Sequence, residues 1–185
     1  TLDLGFWLAY FERVHAEGVC LSAGGYVAYY PTDIPLHHRS RWLDDTPTGL
    51  GDPLGDFVTG CRDKGMVVLA RTDPHAVHQE VFDVHPDWIA VDEEGRHRRH
   101  WSKPDAWVTC ALGPYNFEFM TDVHKEIVTR YPIQGIFSNR WAGHGICYCE
   151  HCRRNFEGAT GLPLPRTRDP NDASWRSYRL WRETR

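Results

Sequence analysis

No stretch of the 185 residues approaches the ~20 consecutive apolar residues a membrane-spanning helix needs. There is no charged-then-apolar leader, no internal sequence repeat and no excess of positive charge. Lys and Arg number 21 against 25 Asp and Glu, a net charge of 21 − 25 = −4. An acidic chain is not built to grip nucleic acid or an anionic membrane by bulk electrostatics, so neither is expected as a partner. The basic clusters, Arg96–Arg99 and from Arg153 onward, read as solvated surface. No glycine-rich phosphate loop follows any apolar segment, and Gly24-Gly25 is too short to be one. With no leader in view, a cytoplasmic location is the expectation. The chain opens at Thr1, directly before an amphipathic segment, as a piece of a longer protein would.

What is present is globular: 41% hydrophobic and 25% charged residues in one domain's length, 1–185. Leu4, Trp7, Leu8, Phe11 and Val14 sit at helical spacing, so Leu4–Glu17 reads as a helix stopped by Gly18. Val19–Ala23 follows as a short buried strand, ended by Gly24-Gly25, and a long polar loop runs from Tyr26 to Pro53. Leu54–Lys64 reads as a second helix and Met66–Arg71 as a continuous apolar strand. A third helix is expected over His75–Val84, then a hairpin turning at Gly95. Tyr115–Arg130 is the clearest helix, with Phe119, Val123, Ile127 and Val128 inward; Gly135–Asn139 is another apolar strand. Short helices are expected at Cys149–Phe156 and from Asn171 onward. Apolar strands alternating with helices indicate an α/β fold with parallel strands covered by helices. A doubly wound sheet and a (β/α)8 TIM-type barrel both fit. The absent phosphate loop favours the barrel, of which this chain would hold roughly the first half, since a full barrel takes roughly 250 residues.

Of six cysteines, Cys20 and Cys61 read as small core residues. The other four differ. Cys147-Tyr148-Cys149-Glu150-His151-Cys152 packs three thiols into six residues, and Cys110 precedes the helix one unit earlier. Four thiolates converging on one point is the ligand set of a closed, structural zinc site. A disulfide or free thiols are the rivals, though such near neighbours make strained disulfides. His151 competes as a ligand. A nucleic-acid zinc finger fits poorly, with one cluster and a negative net charge.

Cys110-Ala111-Leu112-Gly113-Pro114-Tyr115 together with the 147–152 cluster resembles glycoside hydrolase family 42, β-galactosidases with a TIM barrel and a four-cysteine zinc site. The wider chain, roughly 20–160, resembles the set called hypothetical glycosyl hydrolase 6. The matching stretches include Ala23-Gly24-Gly25, Tyr29-Tyr30-Pro31-Thr32, His37-His38-Arg39, Arg71-Thr72-Asp73 and His85-Pro86-Asp87-Trp88. The resemblance implies hydrolysis of a glycosidic bond in a carbohydrate. At one place the sequence departs from the galactosidases, whose fourth strand ends in Asn-Glu, the glutamate being the acid/base. Here the pair is Asn139-Arg140, and arginine gives or takes no proton near neutral pH.

In barrels the C-terminal strand ends supply the site. Asp73 is the candidate catalytic carboxylate, with a helix N-cap before Pro74 as its rival role. His37, His38, Arg71, Asn139 and Arg140 are candidate substrate-binding residues. An ordinary solvated loop is the alternative for His37-His38-Arg39, and a plain ion pair for Arg140. Trp42, Trp101, Trp107 and Trp141 are either sugar-stacking faces or core and rim. Two functions stay open: a glycoside hydrolase with structural zinc, or a non-catalytic zinc-stabilised barrel that binds carbohydrate or a protein partner. A homo-oligomer is compatible with either.

Overall fold

The computed structural model describes residues 3–43, 51–139 and 145–183. Its frame is a parallel sheet of β1 (Gly18–Gly25), β2 (Val67–Asp73) and β5 (Gly135–Ser138), in the order β1-β2-β5. Alternation along β2 sorts the faces. Val68, Ala70 and Thr72 are buried, whereas Val67, Leu69, Arg71 and Asp73 are not. The buried set lies under two helices, α2 (Pro53–Asp63) and α4 (Met120–Arg130). Leu54, Val58 and Cys61 of α2 and Val123 and Ile127 of α4 join Val68 and Ala70 in the main core. Each of these valine, leucine and isoleucine side chains contributes roughly 1.5–3 kcal/mol on leaving water. A first helix, α1 (Leu4–Arg13), lies on α2, and Leu8 occupies the space over Gly60 that a β-carbon there would need.

The remaining elements branch from the strand ends. β3 (Ala76–His78) pairs antiparallel with β4 (Ala106–Val108), and α3 (Gln79–Val84) follows β3 directly. Between them the chain doubles back in a hairpin, with Val91 bridged to His97 and Gly95 at φ +85°. A π-helical turn, Tyr115–Phe119, leads into α4. The two last helices, α5 (Glu150–Thr160) and α6 (Ala173–Glu183), form a satellite core: Phe156, Leu164, Tyr178 and Trp181 pack around Cys110, Cys149 and Cys152.

Several sequence expectations are corrected here. The first helix ends at Arg13, with His15 at φ +53°, and Gly18 begins β1 instead of stopping the helix. Cys20 is exposed, because it shares a row with Leu69 on the face the helices leave open. His75–Val84 is helical only from Gln79: Ala76–His78 finds edge partners in Ala106–Val108, and pairing outweighs local helix preference. Val128 is 53% exposed, one position off the inward stripe of α4. The two glycine-stopped helices differ in outcome, since Gly65 (φ +76°) does follow α2 as expected. No helix among the described residues is long and apolar enough to cross a membrane.

Candidate functional site

Parallel pairing brings the C-terminal ends of β2 and β5 side by side. The Asn139 backbone N–H donates to Thr72 O at 2.7 Å, which carries the β5 register one residue beyond the strand. Asn139 therefore stands beside Asp73 and donates Nδ2–H to Asp73 Oδ1 at 2.5 Å. Arg71, two residues back on the same face of β2, donates to both carboxylate oxygens, at 2.9 Å and 3.2 Å. No helix begins at Pro74, so Asp73 caps nothing; its carboxylate faces a cleft of about 290 Å³. Gly24, Tyr26, Arg71, His75 and His100 also line this cleft. Asp73 is the one carboxylate among the described lining residues.

Much of the remaining lining is aromatic. His75 Nε2 and His100 Nε2 lie 3.3 Å apart. A backbone hydrogen bond assigns the role of one His100 nitrogen. The Ser102 backbone N–H donates to His100 Nδ1 at 3.2 Å, so that nitrogen accepts. In its neutral form His100 then carries its proton on Nε2, the nitrogen that faces His75 Nε2. Trp101 stacks on His100, with centroids 3.8 Å apart. Tyr26 meets the His78 ring at 3.9 Å between centroids, and Lys103 Nζ lies 4.2 Å from the Tyr26 centroid. Tyr26 brings a phenol hydroxyl to the cleft lining. Burial, then the Asp105 charge, pushes that hydroxyl up, so it bears its proton at neutral pH.

The loop after β1 places its histidines differently. His37 is buried behind Gly24, where a β-carbon would come within 3.1 Å of His37 Nε2. Burial lowers His37 to about 4, so its imidazole is neutral. His38 pairs with Glu80 at 2.7 Å and meets the His78 ring edge-on, outside the cleft lining. Arg39 is exposed. The loop itself is clamped to α4 by Glu126, which accepts from the Tyr30 hydroxyl (2.7 Å), the Thr32 hydroxyl (2.6 Å) and the Asp33 N–H (2.8 Å).

The second constellation is the cysteine cluster. Cys110 Sγ lies 3.4 Å from Cys149 Sγ, 3.4 Å from Cys152 Sγ and 3.8 Å from Cys147 Sγ. All four sulfurs fall within 4.8 Å of one another. A disulfide is excluded, since bonded sulfurs stand ~2.05 Å apart. Four sulfurs about 2.3 Å from one tetrahedral zinc lie ~3.8 Å from each other, so the donor set fits that ion in number, type and spacing. Hydrogen bonds among the sulfurs, then burial, hold Cys110 and Cys152 above the ordinary thiol range; a dication reverses this by offsetting thiolate charge. The cluster is fastened to the hairpin: the Val91 N–H donates to Cys147 Sγ at 3.4 Å, and the Tyr148 N–H to Val91 O at 2.9 Å. His151 turns away, 4.0 Å from Asp87.

Of the candidate site residues, the fold brings Arg71, Asp73 and Asn139 together, and separately the four cysteines. It buries His37 and pairs His38 elsewhere. Arg140 and Trp141 lie outside the described residues. Trp107 is buried, whereas Trp42 and Trp101 are more than half exposed. Sequence reasoning missed Tyr26, His75, His100 and Ser102. His75 and His100 meet through the pairing of Ala76–His78 with Ala106–Val108, which no local signal in the sequence announces.

The profile of the family described as hypothetical glycosyl hydrolase 6 matches residues 6–140. The structure is similar to α-L-fucosidase isoenzyme 2 from Paenibacillus thiaminolyticus (TM-score 0.68, 20% identity), covering 98% of this chain and 26% of that one. It is also similar to a hypothetical protein from Ruminiclostridium thermocellum ATCC 27405 (TM-score 0.56, 11% identity), covering 74% and 68%. A family 29 α-L-fucosidase from Bacteroides thetaiotaomicron matches at TM-score 0.50 and 19% identity, covering 83% and 29%. At these identities the likeness is one of fold. This chain spans about a quarter of the length of the first of these, by its 26% coverage. No curated protein matches the sequence.

Proposed function

Because the chain belongs to the hypothetical glycosyl hydrolase 6 family, we propose that it forms part of the active site of a (β/α)8-barrel glycoside hydrolase. The observation that carries this reading is Asp73, at the C-terminal end of a parallel strand, facing a cleft and bound by Arg71 and Asn139. Strand C-terminal ends are where barrel enzymes keep their chemistry. The barrel accounts for the open sheet face as well. Parallel sheets are covered on both faces, and the row Ser22, Arg71, Phe137 opposite the helices is the one that barrel closure buries.

In this reading the substrate is a carbohydrate. Asp73 accepts hydrogen bonds from sugar hydroxyls or takes part in acid/base transfer, the Tyr26 hydroxyl donates, and the His75–His100 pair forms the wall. Glycoside hydrolysis generally uses two carboxylates roughly 5–10 Å apart. The second comes from another part of the complete protein. Cys110, Cys147, Cys149 and Cys152 hold a zinc ion; four protein sulfurs leave no open position for water, so its role is structural.

The test is an assay of the complete protein on a broad panel of aryl glycosides and oligosaccharides, beside the Asp73→Asn variant. The expected result is turnover that falls on the order of 10²-fold or more in the variant. Absence of turnover by the folded protein overturns hydrolysis, and unchanged turnover in Asp73→Asn removes Asp73 from the chemistry.

A further inference from the structure

Cys110 is the one ligand cysteine outside the 147–152 cluster, and its chain neighbour holds the cleft. Val108–Cys110 carries the β4 segment two residues further, between two partners. On one side the Cys110 N–H donates to Trp88 O at 2.7 Å, and Val108 O accepts from the Ala90 N–H at 2.8 Å. On the other side the Thr109 N–H donates to His75 O at 3.1 Å. Side chains alternate along an extended segment. Cys110 Sγ therefore joins the other sulfurs, while Thr109 Oγ1 turns the opposite way and donates to Pro74 O at 2.6 Å.

Pro74 and His75 form the turn between β2, which ends at Asp73, and β3, which begins at Ala76. Thr109 thus holds both carbonyls of that turn, and Asp73, His75 and Ala76 all line the cleft. Thr109 is fully buried, so no water stands in for its hydroxyl. Cys110 O accepts from Asn116 Nδ2 at 3.0 Å, which pins the same residue at a further point. A displacement of Cys110 passes to Thr109 through their shared peptide, and from Thr109 to the turn through its two hydrogen bonds. Where Cys110 sits depends on what the sulfurs hold. Four thiolates without a cation repel one another, and thiols offer only weak hydrogen bonds.

We propose that Thr109 is a positioning residue, which transmits the state of the four-sulfur site to the turn after Asp73, so that metal loading at Cys110 sets the geometry of the cleft. The inference rests on reading the four cysteines as a zinc site, and its catalytic consequence on reading the cleft as a glycosidase site.

The experiment follows the cleft directly in the complete protein, by nitrogen–proton NMR of the His75 and His100 side chains. Their signals are identified by their loss in His75→Gln and His100→Gln. Stripping zinc with EDTA moves both signals, and added zinc restores them. Thr109→Val keeps the parent's zinc content, yet moves the same signals and speeds amide exchange across β3 roughly tenfold or more. Thr109→Ser, which keeps the hydroxyl, returns both to the parent's values. In Thr109→Val, stripping moves the signals less than in the parent, because the link is already cut. Signals unmoved by stripping, or moved equally in Thr109→Val and parent, overturn the coupling. Stripping the parent needs no substitution and decides the matter by itself where Thr109→Val does not fold. Protection of β2 persists throughout; its collapse on stripping assigns the sulfurs to stability alone and also overturns the proposal. On any glycoside that the panel shows to be turned over, Thr109→Val lowers kcat on the order of tenfold with KM nearly unchanged. Zinc-dependent signals without turnover leave the coupling standing and remove hydrolysis; turnover that neither stripping nor Thr109→Val changes does the reverse.

Discussion

Replacing Glu126 by alanine should unfasten the loop that carries Tyr26 and His37. The carboxylate accepts from Tyr30 (2.7 Å) and Thr32 (2.6 Å), and both of those residues are buried. Alanine leaves two buried hydroxyls without their acceptor. Hydrogen bonds to a charged group contribute about 1.5–3 kcal/mol each, so the two together cost about 3–6 kcal/mol. The Asp33 N–H and the Arg130 guanidinium also face Glu126, but both are solvent-accessible and find water, so they add little. Against a total stability of about 5–15 kcal/mol the loss is large. In a chain of this length it corresponds to a melting point lower by on the order of 10 °C. Glu126→Gln keeps one acceptor oxygen and should lose about half as much. The pH dependence carries a definite sign. Burial pushes the Glu126 carboxyl up, but the Asp33 N–H, the two hydroxyls and Arg130 outweigh it and hold it below its ordinary 4.5. The stabilisation is therefore complete above pH 4.5 and is lost as pH falls through the lower folded value. Thermal melts of the three proteins, repeated at acid pH, check this. A Glu126→Ala melt within about 2 °C of the parent would refute the clamp, since that corresponds to under roughly 1 kcal/mol.

Purified protein should carry about one zinc per chain at the four cysteines, measured by elemental analysis; Cys149→Ser should lose it and loosen α5 and α6, seen as faster amide exchange there, while β2 keeps its protection. Zinc content near zero in the parent sinks the site. Gly25→Ala should destabilise strongly, because Gly25 sits at φ +127° and its β-carbon would lie 2.4 Å from the Asp73 carbonyl oxygen; soluble expression with a melting point equal to the parent's would contradict the close approach of β1 to β2. His37, neutral with a value of about 4 against an ordinary 6.5, should make stability decline as pH falls from 6.5 toward 4, by at most roughly 1.4 kcal/mol per pH unit. His37→Phe should flatten that slope in denaturant titrations, and an unchanged slope assigns it to other groups, such as His78, also lowered to about 4.

The sequence by itself determined the parts whose signal is local. Apolar runs of four to six residues bounded by glycine marked the strands at Val67 and Gly135, and 3.6-residue spacing marked α2 and α4. Three thiols within six residues marked a sulfur cluster, and the structure brings Cys147, Cys149 and Cys152 together with Cys110. Arg71, Asp73 and Asn139 were legible as strand-end polar groups. What only the tertiary structure decided depends on pairing between distant segments. Cys20 reads as core in a window of apolar neighbours, yet the register with Leu69 turns it to the face away from the helices. Asp73 was equally compatible with a helix cap, and only the parallel neighbour β5, which sets Asn139 beside it, settles its partners. Ala76–His78 reads as helix until β4 arrives from thirty residues downstream, and with that pairing His75 meets His100. His37 looked like a solvated loop residue and is buried, because Glu126, more than ninety positions away, ties Tyr30 and Thr32 to α4. Local propensity is written within one turn or one strand, whereas the cleft is assembled by hydrogen bonds that span the chain, and no single window of sequence contains both partners.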